Sequence, residues 1–276
     1  MPQWTYLSKK GLDEYIDRMA QGSGSPVTVL EQWQWTDDNN PLVLRGIMKH
    51  KIIKQCWQHG RPFRYIDTGY FGNLPSDVNP HGWKFWHRVV PNNLQHGEII
   101  ARPADRWRKL GIELKPRQLG SSIVVAVPDD KPCKFYDVEL DQWLAQTLKT
   151  IAEHTDRPVI VRQRNPDRTE RKTKSLDKSL ADVHAVVTFN SNAGTEAVIA
   201  GVPVFVLAPC HAAKPVGNVD LTRIDNPWWP DNDLREAWAH HLAYGQFHIT
   251  EMQSGQAHRI LDQTDQLKGP LWNSPL

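Results

Sequence analysis

A segment between Val186 and Pro209 brings together residue types that can hold a phosphorylated ligand. It reads Val186-Val187-Thr188-Phe189-Asn190-Ser191-Asn192-Ala193-Gly194-Thr195-Glu196-Ala197, followed by Gly201-Val202-Pro203-Val204. The apolar start predicts a strand, the small residues a turn, and Ala193–Ala200 a helix. A second strand is expected over Val202–Leu207. Small side chains let a ligand approach the backbone where a helix begins, and that end offers N–H groups and a positive dipole to a phosphate. Glu196 falls in the first helical turn, where its carboxylate can accept two hydrogen bonds from a ribose diol. The same spacing fits a helix N-terminus with an acidic capping residue equally well.

The elements that must position these residues alternate strand and helix. In the N-terminal part a helix is expected over Leu12–Ala20, with strands at Val27–Leu30, Pro41–Leu44 and Phe63–Asp67 and a helix from Ile47 to His59. That pattern reads as a small open α/β unit with a parallel sheet. Residues Gly72–Asn93 hold Pro75, Pro80, Pro91 and several aromatic residues, and read as a long functional loop. Arg102–Arg117 carries six Lys/Arg against two acidic residues and reads as a helix start and a linker. A second alternating unit follows: strands at Ile123–Val127, Pro158–Val161 and Val183–Thr188, and helices at Val138–His154 and Asp233–Ala243. The expected organisation is residues 1–117, residues 118–250 and a C-terminal arm over 251–276.

Composition narrows the classes. Thirty-three basic residues against 31 acidic ones give a net charge of +2, which excludes a histone-like basic tail and an acidic disordered chain. Cys56, Cys133 and Cys210 are scattered, so neither a zinc site nor a disulfide framework is expected. Asp231-Asn232-Asp233 follows Pro227-Trp228-Trp229-Pro230 and reads as a helix cap, so no obligatory metal is expected. The longest apolar run, Ala197–Pro209, contains Gly201 and Pro203 and is too short for a bilayer. The N-terminus has no apolar signal segment, and the expectation is a cytosolic protein without membrane association.

The segment Ser191-Asn192-Ala193-Gly194-Thr195-Glu196-Ala197…Gly201-Val202-Pro203-Val204 resembles the nucleotide-sugar-binding segment of two-domain glycosyltransferases of the GT-B type. The resemblance implies an α/β fold of two Rossmann-like domains facing a cleft. It also implies a nucleoside-diphosphate sugar as donor, with the turn against the diphosphate and the Glu on the nucleotide ribose. Carried over, these positions are Ser191, Asn192, Gly194, Thr195 and Glu196. In such a fold Arg162 and Arg164, just past a strand end, can clamp a diphosphate in bidentate fashion. His211, past the last strand of the second unit, is a candidate contact to the donor or the departing phosphate.

More broadly, Tyr65-Ile66-Asp67-Thr68-Gly69-Tyr70-Phe71 and Leu242-Ala243-Tyr244-Gly245-Gln246-Phe247 look like segments of short glycosyltransferase-like proteins of tailed phages. Sugar transfer with inversion needs a base for the acceptor hydroxyl. Asp67, at the end of a strand, is the first candidate, although Asp-Thr-Gly is also a common turn. His87 and His81 are the rivals. The phage resemblance implies an acceptor such as a hydroxymethylated pyrimidine in double-stranded DNA, in the host cytoplasm. Trp83, Phe85 and Trp86 would then stack on or replace a flipped base, and Arg88, Arg102, Arg106, Arg108, Lys109, Lys115 and Arg117 would hold phosphates. The alternatives are a transferase for a capsular or cell-surface glycan, and a non-catalytic nucleic-acid-binding module on the same fold.

Overall fold

The computed structural model describes residues 4–9, 13–25, 27–30, 35, 40–47, 50–71, 85–163 and 180–268. The chain divides into two compact units, one formed by Met1–Leu94 with Leu242–Leu276 and the other by Gln95–His241. This division differs from the expected one: it falls at residue 94 instead of 117, and it returns the C-terminal residues to the first unit.

Unit 1 is built on a six-stranded sheet: β1 Thr5–Lys9, β2 Val27–Leu30, β3 Leu42–Arg45, β4 Phe63–Thr68, β5 Trp86–Pro91 and β10 Gln246–His248. Their order is β10-β5-β4-β3-β1-β2. The pairs β1–β2, β1–β3 and β3–β4 are parallel, as the alternating pattern predicts. β5 pairs antiparallel with β4, and β10 antiparallel with β5, so the sheet is mixed. The expected loop over Gly72–Asn93 therefore contains an interior strand, with Val89 and Val90 fully buried. Its turn-forming composition was outweighed by pairing on both edges, one partner coming from the far end of the chain.

Helix α1, Glu14–Ser23, begins at Asp13, whose carboxylate accepts the Ile16 N–H, and ends at Gly24 in the left-handed region. Its buried face, Tyr15, Ile16, Met19 and Ala20, packs on Tyr6, Val43, Ile66 and Val89. Helix α2 spans His50–His59. The expected C-terminal arm is instead two helices as far as Lys268, α8 Ile249–Gln253 and α9 Gln256–Lys268. Met252, Ala257 and Leu261 join the same core. A Cβ on Gly22 would lie 2.0 Å from the Met252 carbonyl oxygen, so α1 meets this C-terminal segment backbone to backbone.

Unit 2 carries a parallel sheet of β6 Ser122–Ala126, β7 Val159–Arg162, β8 Val183–Thr188 and β9 Val204–Val206, ordered β7-β6-β8-β9. All six residues of β8 are buried, as a central parallel strand requires. Helices α3 Asp105–Leu110, α4 Asp130–Phe135, α5 Leu140–His154, α6 Ala193–Ile199 and α7 Asn232–Tyr244 complete it, α7 crossing the division between units. Among the described residues, no helix is long and apolar enough to cross a membrane.

A buried polar network ties α9 to the sheet of unit 1. The Arg64 guanidinium lies 4.0 Å above the Trp4 ring and reaches Asp262 at 2.6 Å and Asp265 at 3.2 Å. Its Nη1 lies 3.1 Å from His258 Nδ1, while His258 Nε2 lies 2.8 Å from the Met19 carbonyl oxygen and 3.4 Å from the Tyr6 hydroxyl. An arginine cannot accept, so Nδ1 is the acceptor and Nε2 carries the proton: the ring is neutral. Burial first, and then Arg64, hold the His258 pKa below its ordinary value, against the Met19 carbonyl and Asp262.

In the unfolded chain His258 takes up a proton near pH 6.5, whereas in the fold it does so only at lower pH. Stability that is present above about pH 6.5 is therefore lost as the pH falls towards the folded value. The urea midpoint is expected to drop between about pH 7.5 and about pH 5.5, and less steeply in His258→Gln. Burial shifts His184 and His248 in the same direction, so part of the drop remains in that variant. An identical slope in both proteins would contradict this account.

Candidate active site

The strand order of unit 2 creates a switch point. β6 comes first in the chain, β7 lies on one side of it and β8 on the other, so the connections leave in opposite directions. Ligands of open α/β sheets bind in the crevice beyond the carboxyl ends of strands at such a point. Ala126 and Thr188 end β6 and β8 in register, and Arg162 lies level with Ala126 on β7. The loop after β6 runs through Val127, Pro128 and Asp129 into α4. The loop after β8 runs through Phe189, Asn190, Ser191 and Asn192 into α6. The residues singled out in the sequence thus stand at the carboxyl edge of this sheet.

The β8 turn is held from several sides. Thr188, fully buried, donates its hydroxyl to the Ala126 carbonyl at 3.1 Å and accepts the Ser191 N–H at 3.4 Å. Ser191 Oγ accepts the Ala193 N–H at 3.3 Å, and the Thr195 hydroxyl donates to the Asn192 carbonyl at 2.7 Å. At the other end of α6, Arg235 donates to the Val198 carbonyl at 2.9 Å and the Lys115 carbonyl at 2.7 Å, beneath the Trp229 ring. A guanidinium there satisfies the carbonyl end of a helix and complements its dipole. Burial lowers the Arg235 pKa from its ordinary value. Gly201, at φ +83°, follows α6, and a Cβ on it would lie 2.0 Å from the Pro116 carbonyl oxygen.

The predicted donor residues fall into two groups. Ser191, Asn192 and Glu196 are partly exposed, with Asn192 at the N-cap and Glu196 in the first turn of α6. Gly194, Thr195 and His211 are buried and shape the turn from within. His211 is fully buried, its Nδ1 accepting the Ala213 N–H at 2.9 Å and its Nε2 lying 2.9 Å from the Ser191 carbonyl oxygen. These partners require the neutral ring protonated on Nε2. The imidazole therefore does not stand at the surface as a phosphate contact; it is occupied in the backbone. Gly194 is small for a related reason: a Cβ there would lie 2.5 Å from His211 Cε1. Gln95, which no sequence motif marks, donates to the Asn190 carbonyl at 2.9 Å and accepts the Ala212 N–H at 2.9 Å. Arg162 is partly exposed at the end of β7; Arg164 lies outside the described residues.

Unit 1 has a second polar cluster, at the carboxyl end of β4. Asp67 accepts the Tyr65 hydroxyl at 2.7 Å and the Thr68 N–H at 2.8 Å, and pairs with Arg88 at 3.2 Å. Its side chain is 35% exposed. Burial pushes its pKa up, but Arg88, Tyr65, Thr68 and Arg45 together outweigh this and hold it below the ordinary carboxylate value. Arg45, at the end of β3, lies 4.3 Å above the Tyr15 ring and 3.7 Å from Asp13. No motif in the sequence marks Arg45.

Several acceptor-side expectations change. His87 is 1% exposed with its ring 3.8 Å from that of Tyr15, so it is a core residue and not an accessible base. Arg88 is buried as well, donating to Thr68, Leu94 and Asp67, so its guanidinium is committed to the fold and not to a phosphate. Arg106 is buried on α3, while Arg108 is exposed. Trp86 is partly exposed beside His248, at 5.4 Å between ring centres. Trp83 and His81 lie outside the described residues. The two segments with a phage-like appearance do meet within unit 1: Gln246 accepts the N–H groups of Tyr70 and Phe71 at 2.7 and 2.9 Å.

Among the described residues, no group of three or more His, Cys, Asp or Glu could hold a metal ion. In Asp231-Asn232-Asp233 it is Asp231 that caps α7, accepting the Leu234 N–H at 2.8 Å.

No protein-family model and no curated protein matches the chain. Among solved structures it is similar to Thermosulfurimonas dismutans KpsC, beta Kdo 2,4 transferase, at TM-score 0.50 and 12% identity, over 87% of this chain and 90% of that one. A second structure, T. dismutans KpsC, beta Kdo 2,7 transferase, aligns at TM-score 0.49 and 13% identity, over 93% and 98% of the two chains. The first gives the chain a glycosyltransferase-like α/β fold.

The contact of Gly194 with His211 has a direct consequence. Gly194→Ala is expected to lower stability by about 1–3 kcal/mol, the usual cost of overpacking a filled site. Denaturant unfolding that is unchanged in this variant would show that the imidazole can move aside.

Proposed function

We propose that this protein is a glycosyltransferase of the GT-B type that moves a sugar from a nucleoside-diphosphate sugar to a hydroxyl of a glycan. The observation that carries this reading is the placing of Ser191, Asn192 and Glu196 at the switch point of a parallel sheet, in a chain of glycosyltransferase-like fold. In this reading Glu196 holds the nucleotide ribose, Ser191 and Asn192 lie against the diphosphate, and Arg162 and Arg164 neutralise its charge. Asp67 takes the acceptor proton. Its exposure and its ionised state suit a base, although the surrounding donors and cations weaken it as one.

The burial of Arg88 and Arg106 removes part of the basic surface expected to hold DNA. Tight DNA binding needs several accessible cations for phosphates; of the seven basic residues expected to serve, Arg88 and Arg106 are enclosed, while Arg108, Lys109, Lys115 and Arg117 are exposed. The similar solved structure is a β-Kdo transferase, which supports carbohydrate transfer as the chemistry.

A thermal-shift panel of nucleoside-diphosphate sugars, with a nucleotide-activated Kdo included, tests the donor. A ligand at 100 times its dissociation constant adds about 2.7 kcal/mol. Glycan acceptors and hydroxymethylated DNA, assayed by mass spectrometry for added sugar, separate the acceptors. Salt-dependent DNA binding without turnover would instead support the non-catalytic module.

Glu196→Ala is expected to weaken nucleotide binding by about 1.5–3 kcal/mol, the range for a hydrogen bond to a charged group. Unchanged affinity by calorimetry in a folded variant would exclude Glu196 from the site. Asp67→Asn is expected to lower turnover by about 10²–10⁴-fold with donor affinity unchanged. Because its neighbours depress the Asp67 pKa, the wild-type acid limb due to this group falls below the ordinary carboxylate range. A limb near neutrality that disappears in another variant would assign the base elsewhere.

A further inference from the structure

The ladder between β8 and β9 continues one step past the strands. Leu207 and Ala208 donate to the Thr188 and Phe189 carbonyls at 3.0 Å each. Beyond Phe189 the sheet offers nothing more, and buried side chains take over. The Asn190 carbonyl receives Gln95 Nε2 at 2.9 Å, and the Ser191 carbonyl, which also accepts the Gly194 N–H at 3.0 Å, receives His211 Nε2 at 2.9 Å. Gln95 is 2% exposed and His211 not at all. Each side chain uses its other polar atom on the segment after β9: Gln95 Oε1 accepts the Ala212 N–H and His211 Nδ1 accepts the Ala213 N–H. The Cys210 thiol completes the ring by donating to the Gln95 carbonyl at 3.1 Å. Two side chains thus clasp the turn after β8 to the loop after β9.

The clasp sets the direction of a peptide plane. With the Ser191 carbonyl turned to the imidazole, planarity points the Asn192 N–H to the opposite side. Gly194 lets the ring come this close, since a Cβ would collide with it. We infer that His211 and Gln95 are positioning residues that hold the Ser191–Glu196 segment in the geometry that receives the donor diphosphate. The inference rests on the donor reading above, and neither residue touches the donor.

Amide variants of His211 separate positioning from bulk packing. Glutamine's amide N–H reaches the Ser191 carbonyl; the shorter asparagine amide can offer its oxygen to the Ala213 N–H but brings no N–H to the Ser191 carbonyl. His211→Asn is expected to weaken affinity for the donor's nucleoside diphosphate about tenfold, the scale of one hydrogen bond. His211→Gln is expected to stay within about threefold of the wild type. The KM for acceptor is expected to be the same in all three. Amide hydrogen exchange over residues 190–196, measured without nucleotide, should be faster in His211→Asn than in His211→Gln. If His211→Asn does not fold, Gln95→Met provides the same comparison through the Asn190 carbonyl.

Wild-type binding with equal affinity in folded His211→Asn, His211→Gln and Gln95→Met would overturn the inference and leave the donor reading standing. Equal exchange over 190–196 in His211→Asn and the wild type would also overturn it. Absence of nucleotide binding by the wild type across the donor panel would overturn the donor reading and the inference with it.

Discussion

Where a parallel strand ends, its backbone carbonyls lose the ladder but keep their need for partners. In unit 2 buried side chains from segments distant in sequence serve the carbonyls just past β8, Gln95 on Asn190 and, beside the Gly194 N–H, His211 on Ser191, and Arg235 does the same at the carbonyl end of α6. Much else follows from this arrangement. Gly194 must lack a Cβ because the imidazole lies against it, and Gly201 because the Pro116 carbonyl does. Helix α6 has only seven residues and little stability of its own, so bonds at both of its ends keep it in place. Glu196 is presented at a defined point because the turn before it has little freedom.

Unit 1 solves a similar problem with the C-terminal segment. Gln246 satisfies the N–H groups of Tyr70 and Phe71 where the chain leaves β4, and β10 covers the edge of β5. Arg64 then binds α9 through His258, Asp262 and Asp265. The charge on Arg64 is buried, yet its carboxylate partners are more than a third exposed, which lowers the desolvation cost of the set. Asp67 stands in a comparable balance: enclosed enough for Arg88 to hold its pKa down, yet with its side chain about a third exposed.

The fold of this chain does not fix its activity. A likeness at 12% identity reaches the course of the backbone, and one fold carries many activities. The donor reading therefore depends on particular side chains at the switch point. Two of the basic residues expected to hold DNA phosphates, Arg88 and Arg106, are enclosed. Basic residues in a sequence announce their charge but not its accessibility, and Arg88 is drawn inward because the turn at Thr68 and the Asp67 carboxylate need its donors.

The sequence by itself determined the alternation of elements in both halves, the bounds of β8 and the strand–turn–helix at residues 183–199, because apolar periodicity and small-residue turns act over a few neighbours. It also marked Asp67 as a strand-end carboxylate and Glu196 as a first-turn one. Tertiary structure alone decided that Trp86–Pro91 is a strand, since its partners lie at residues 63–68 and 246–248. It decided too that residues 251–268 are helices packed in the first unit, where the apolar face of α1 waits for them. His211 and His87 looked like free imidazoles and became buried ones, while Gln95 carried no mark at all. Those assignments depend on which backbone groups are left unsatisfied when the sheets close, a quantity that exists only once distant segments have met.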